Sequence, residues 1–115
     1  MSFPDPQTTE EISPRQLKKL IDDAEDFLLI DCREDDEWQF NRITPAKHFS
    51  LSHFAEKGQF LLTTGAKNMV IYCHHGIRSL HATRWLRAHG FAQVFSMSGG
   101  IDQWSNEIDA SVPRY

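Results

Sequence analysis

The sequence predicts an α/β protein built on a mainly parallel sheet, and three observations carry that reading. Short apolar runs, "FLLID" at 27–31, "MVIY" at 69–72 and "QVFSM" at 93–97, are the length of strands buried on both faces. Segments with helical spacing of apolar residues separate them. Strands that alternate with helices are the pattern of βαβ units, in which the helices cover both faces of the sheet.

Taken in order, the N-terminal decapeptide, with Pro4 and Pro6 among polar residues, reads as an irregular lead, and 11–115 as a single domain. In "SPRQLKKLI" a helix start is marked by Ser13 as the cap, Pro14 at the first helical position and Gln16 completing a capping box. Leu17, Leu20 and Ile21 then share one face. "FLLID" stops at charge and delivers "DCRE". The acids that open "EDDEWQFNRI" suit the first turn of a short helix. "AKHFSLSHF" is expected to be a short strand that turns into a helix near Ser52, with Gly58, Thr64 and Gly65 punctuating the loop after it. After "MVIY" comes a helix from Leu80 to His89, its inner face Ala82, Trp85, Leu86 and His89 and its stop Gly90. "QVFSM", the turn "SGG" and a last helix "IDQWSNEI" complete the chain, with Trp38, Trp85 and Trp104 read as core aromatics.

Composition narrows the function. Of 115 residues, 40% are hydrophobic and 24% charged, a globular balance, and the net charge of -4 gives no general attraction for nucleic acid or anionic lipid. No run approaches the roughly 20 apolar residues that span a bilayer, and "MSFPDPQTTEE" lacks the regions of a signal peptide, so a cytoplasmic location is expected. The two cysteines, Cys32 and Cys73, form neither a C-x-x-C pair nor a zinc ligand set, and in a reducing compartment both are expected to be free thiols.

The chemistry gathers at "YCHHGIRS". In open α/β sheets ligands bind beyond the C-terminal strand ends, where Cys73 should lie. The loop His74, His75, Gly76, Ile77, Arg78, Ser79 can curl so that its amides and the following helix N-terminus face inward as an anion site. The same groups lower a thiol's pKa and make Cys73 a nucleophile. Gly76 supplies unusual backbone geometry, Arg78 a planar pair of donors for an anionic substrate, and Ser79 a cap or a further donor. His74 and His75 are expected to face solvent and add partial positive charge rather than hold a metal. Asp31 and Arg33 are expected to brace the loops, and His48, His53, His81 and His89 to lie on the surface or on helix faces.

The segments "LLIDCREDDEWQ", "VIYCHHGIRS" and "GFAQVFSMSGGIDQW", with "ISPRQLKKLID" before them, resemble single-domain rhodaneses, a sulfurtransferase family. The resemblance implies a five-stranded parallel sheet flanked by helices, no cofactor, and a catalytic cysteine at Cys73. It implies transfer of a sulfane sulfur from thiosulfate or a related donor, through a Cys73 persulfide, to cyanide or a thiol, with Arg78 binding the donor's sulfonate. The partners implied are a small-molecule donor and acceptor. The closing segment also resembles rhodanese domains fused to enzymes that activate sulfur-carrier proteins, which points to a thiol-bearing or carrier-protein acceptor. Cys32 stands where the family often has valine and is expected to fill the core rather than act as a resolving thiol. In "NRITPA", Arg42 replaces the usual histidine of G-H-I-P-G-A and both glycines are missing, so a differently shaped turn is expected. A catalytically weak docking or regulatory module is the alternative reading. Related cysteine phosphatases and arsenate-handling enzymes are disfavoured, because they place five residues between cysteine and arginine and this chain has four.

Overall fold

The computed structural model describes residues 3–54 and 58–115. Its elements run β1 (Glu11–Ile12), α1 (Pro14–Asp22), β2 (Leu28–Asp31), α2 (Asp35–Phe40), β3 (Lys47–His48), a 3-10 turn (Leu51–His53), α3 (Gln59–Leu62), β4 (Met69–Tyr72), α4 (Ile77–Ala88), β5 (Val94–Met97) and α5 (Gly100–Glu107). The five strands form one sheet in the order β1-β5-β4-β2-β3, with every pair parallel. The five-stranded parallel sheet flanked by helices is therefore as expected.

β4 lies at the centre of the sheet, and all four of its residues are buried. A strand with neighbours on both edges and helices on both faces has no polar side to offer, which is why it reads as an uninterrupted apolar run. The core divides into two layers. On one face Ile12, Leu29, Val70, Tyr72, Phe95 and Met97 pack with Leu17 and Leu20 of α1 and Ile101 and Trp104 of α5. On the other, Ile30, Cys32, Ile71, Cys73 and Val94 pack with Ala82 and Leu86 of α4 and with Phe54 and Leu61. Alternation along β2 and β4 sends both cysteines to this second layer.

The α1 cap forms as read: Gln16 N donates to Ser13 Oγ at 3.1 Å, and Ser13 N to Gln16 Oε1 at 2.6 Å. Several elements differ from expectation. β1 occupies the start of what reads as a plain approach to α1, because Ser96 and Ser98 N–H donate to the carbonyls of Glu10 and Ile12. The lead before it is irregular but anchored: Phe3 enters the core, and Arg87 donates to the carbonyls of Pro6 and Thr9. α4 begins at Ile77, three residues earlier than expected, because Gly76 with φ +100° turns the loop directly into the helix. The buried stripe of α4 is Ser79, Ala82, Thr83 and Leu86. Trp85 is half-buried, packs against the second core layer with its ring edge-on to that of Phe54, and stacks on His89, which is exposed and not part of the inner face. Gly90 does end α4, with its N–H on Arg87 O and that of Phe91 on Leu86 O.

Of the tryptophans, Trp104 is in the core, whereas Trp38 is half-buried between the guanidinium of Arg42, 4.0 Å from its ring, and the stacked ring of His48. The "NRITPA" turn is closed by Ala46 N–H on Ile43 O, with Thr44–Pro45 cis. At the helix expected near Ser52 the structure has the 3-10 turn Leu51–His53, and residues 55–57 lie outside the described residues.

Candidate active site

Cys73 follows the last residue of the central strand and is 1% exposed. Its loop is short because Gly76 takes a left-handed conformation and closes it in three residues. A side chain at Gly76 would also press on the backbone of Met97 and Gly99. The closure points two amides at the sulfur: Gly76 N–H donates to Cys73 Sγ at 3.1 Å and Ser79 N–H at 3.4 Å. The Ser79 hydroxyl stands 3.4 Å from the same sulfur and 2.7 Å from Ser96 Oγ.

These contacts favour the thiolate. The Cys73 thiol is held down at about 5, first by a hydrogen bond from the Cys32 thiol and, against the opposing cost of burial, by the hydroxyl and amide of Ser79 and the amide of Gly76. Cys32 moves the opposite way, pushed up by donating to Cys73 and by its burial. The core position expected for Cys32 is what the structure shows, at 0% exposed, but it is a core position beside the candidate nucleophile.

The other side of the loop is fastened by α5. Ile101 N–H donates to Cys73 O at 2.8 Å, and Asp102 N–H to His74 O at 3.1 Å. Such close approach needs Gly100, where a Cβ would run into the carbonyl groups of Cys73 and His74.

Asp31 and Arg33 form an ion pair with each other. Both are fully buried, with Arg33 Nε and Nη2 on the Asp31 carboxylate at 2.7–3.1 Å. The rest of the fork reaches Asn41 Oδ1, Asn41 O and the Tyr115 hydroxyl. Burial opposes the Arg33 charge, but Asp31 and Tyr115 more than compensate and the guanidinium stays protonated.

Arg78 does not simply await an anion. Its Nη1 and Nη2 donate to the two Glu37 oxygens at 2.6 and 2.8 Å. That pair holds Glu37 down at about 2, with Tyr115 as a second donor. His74 corrects the solvent-facing expectation: it is half-buried, its ring 3.9 Å from that of Tyr115 and 3.8 Å from that of His75. His75 is exposed, as is Ile77 at 70%. His74, His75 and Asp102 bring three ligand-type atoms within 4.8 Å of one another, but the Asp102 carboxylate is already paired with Arg114.

Four contributors went unread in the sequence: Glu37, Ser96, Gly100 and Tyr115. Ser96 carried a usable signal, as a hydroxyl inside an otherwise apolar strand must find a partner. Glu37 is lost among neighbouring acids, and nothing local distinguishes Tyr115.

The Rhodanese-like domain family model matches residues 13–107, from the α1 cap to the end of α5. The chain belongs to the rhodanese-like domain family. Among curated relatives, the putative sulfurtransferase YtwF of Bacillus subtilis is 35% identical over 98 residues, spanning 85% of this chain and 92% of that protein. The adenylyltransferase and sulfurtransferase MOCS3-2 of Zea mays is 33% identical over 109 residues, 90% of this chain, and this chain spans only 23% of its length. Among solved structures, a rhodanese-related protein from Thermoplasma volcanium superposes with a TM-score of 0.74 at 25% identity, covering 86% of this chain and 93% of that one. SSP1007 from Staphylococcus saprophyticus superposes with a TM-score of 0.73 over 92% and 100% of the two chains at 23% identity, a likeness of fold. This rhodanese-like domain carries helices on both sides of a parallel sheet, and its cysteine loop lies at the C-terminal end of the central strand.

Proposed function

We propose that this rhodanese-like chain is a sulfurtransferase that moves a sulfane sulfur from thiosulfate or a related donor to cyanide or a thiol. The carrier is a persulfide on Cys73. The observation that supports this most directly is the convergence of the Gly76 and Ser79 amides on Cys73 Sγ, which favours an anionic sulfur without a metal or cofactor.

In the first step the Cys73 thiolate attacks the outer sulfur of thiosulfate. The S–S bond of the donor breaks, sulfite leaves with its electron pair, and Cys73 holds the outer sulfur as a persulfide anion. In the second step the acceptor's nucleophilic atom attacks that outer sulfur and the thiolate returns. The loop from His74 to Ser79 surrounds the reacting sulfurs. Arg78 supplies charge for the sulfonate, moderated by Glu37, which shares its fork. Two free thiols suit a reducing cytoplasm. The relatives whose names join adenylyltransferase to sulfurtransferase make a protein thiol a reasonable acceptor beside small molecules.

Intact-protein mass tests the cycle. After thiosulfate the native chain gains sulfur or releases it as sulfide, and Cys73→Ser does neither; cyanide then removes any sulfur still held on Cys73 as thiocyanate. A native chain that gains no sulfur and releases none as sulfide or thiocyanate would sink this reading in favour of a docking module. Hydrolysis of an aryl phosphate by the native chain would point to phosphatase chemistry instead.

A further inference from the structure

The β2·β4 ladder closes at its Asp31 and Tyr72 pair, where Cys32 N–H donates to Tyr72 O at 3.0 Å, and Cys32 and Cys73 are the next residues of the two strands. Cys32 and Cys73 therefore stand abreast at the ends of two adjacent parallel strands. Ile30 and Ile71, two residues back on each strand, lie in the same core layer as the two cysteines, so both thiols project to one side of the sheet. Adjacent strands lie about 4.8 Å apart, inside the window of about 4.4–6.8 Å between Cα atoms that a disulfide requires. The two cysteines share one buried core cluster, and Cys32 is the first cause of the lowered Cys73 thiol pKa. The amides of Gly76 and Ser79 reach Cys73 Sγ from the loop, whereas Cys32 stands on the side of the neighbouring strand, in the same core layer.

We propose that Cys32 is a second catalytic thiol, which resolves a persulfide on Cys73 by closing on its inner sulfur, releasing hydrosulfide and leaving a Cys32–Cys73 disulfide. This rests on the sulfurtransferase reading above. The step balances without an external oxidant. The Cys32 sulfur bonds to Cys73 Sγ, and the bond between Sγ and the outer sulfur breaks. Its electron pair leaves with the outer sulfur, which takes the Cys32 proton and departs as hydrosulfide. The sulfane sulfur is reduced and the two cysteine sulfurs are oxidised. A dithiol then attacks the disulfide, restores both thiols and is itself oxidised. The domain thus has two exits for one sulfur: an outside nucleophile takes the outer atom, or Cys32 expels it as sulfide at the expense of a dithiol. The second exit gives the chain a reductive activity, with dithiols as its substrate class.

Two arms test this and separate it from the function it rests on. In the first, 5,5′-dithiobis(2-nitrobenzoate) replaces the sulfur donor. The native chain should release one thionitrobenzoate from attack by Cys73 and a second as Cys32 closes. Its product should be lighter than the reduced chain by two hydrogens, with the Cys32 and Cys73 peptides joined. Cys32→Ala should stop after one release and keep the adduct on Cys73, and Cys32→Val, which keeps an apolar side chain of fuller volume, should do the same. A native chain that keeps the mixed adduct, takes an adduct on both thiols or takes none overturns the proposal. In the second arm the chains receive thiosulfate, and hydrosulfide is measured before and after dithiothreitol is added. The native chain should release sulfide before the addition and turn over after it, while Cys32→Ala should hold a stable persulfide until the dithiol or cyanide arrives. Equal early release from both proteins overturns the proposal. Absence of any sulfur transfer in either protein refutes the thiosulfate reading and leaves the first arm to decide the role of Cys32.

Discussion

Two adjacent strand ends carry the two cysteines, and they are held in opposite ways. At the end of β2, "DCRE" is organised by side chains: a fully buried Asp31–Arg33 pair whose remaining donors reach Asn41 and Tyr115. At the end of β4, "CHHGIRS" is organised by backbone, with amides from Gly76 and Ser79 turned on a sulfur and the amides of Ile101 and Asp102 securing the loop's carbonyls. A buried ion pair is a brace: it fixes position and tolerates no loss of a partner. A ring of amides is a cradle: it stabilises charge on whatever atom it surrounds, while removal of one donor leaves the others in place. The first strand end should therefore answer mutation mainly in stability, the second mainly in reactivity.

The largest expected effect breaks the brace. Arg33→Met leaves the Asp31 carboxylate buried without its partner and should cost about 3–5 kcal/mol, read from the denaturation midpoint. The double variant Asp31→Leu with Arg33→Met should lose less than the sum of the singles, since it removes both charges.

The cradle should be visible as a pH dependence. Cys73 is depressed in the folded chain, to about 5 from an ordinary 9.0. A depressed acid stabilises the fold in full above its ordinary value, and that contribution disappears as pH falls through the folded value. From pH 9 down to 5, native stability should therefore fall relative to Cys73→Ser, whose hydroxyl does not titrate there. Parallel stability curves for the two proteins would contradict the thiolate.

Ser79→Ala removes one hydroxyl from the cradle and keeps the amide. The Cys73 pKa should rise by about one unit, so that alkylation by iodoacetamide at a pH near the native pKa slows by up to tenfold, with little change in melting temperature. The smallest effect concerns Glu37, which shares its charge with Arg78 on the rim between the two ends. Glu37→Gln frees the Arg78 fork and should lower the thiosulfate KM roughly threefold, about 0.6 kcal/mol, within the range of a partly exposed ion pair. Arg78→Ala should raise it.

How far the sequence was legible follows the same division. The cradle is local: a strand, a cysteine, a glycine and a helix within a few residues, so the identity of Cys73, Gly76 and Ser79 could be read from spacing. β4 and the α1 cap were legible for the same reason, each being specified by neighbouring residues. The brace is half local. Asp31 and Arg33 are two residues apart and were read as support, but Asn41 and Tyr115, which complete their bonding, lie 8 and 82 residues from Arg33. β1 was missed because two residues make too short a run to show a period, and only β5 makes them a strand. His74 was misread because the ring that stacks on it belongs to Tyr115, which no local pattern could place there.

The order of the sheet bears on when the chain becomes reactive during its synthesis. β4, with Cys73 at its end, leaves the ribosome ahead of β5, α5 and Tyr115, yet its loop is fastened by Ile101 and Asp102 and covered by Tyr115. Among the described strands β1, made first, pairs with β5, made last. Until residues 94–102 have emerged, Cys73 stands at the end of an incomplete sheet, without Ser96 behind Ser79 or α5 behind the loop. A growing chain therefore exposes Cys73 before the groups that fasten and back its loop exist, and the full set of contacts around the sulfur forms only once β5 and α5 have joined the sheet.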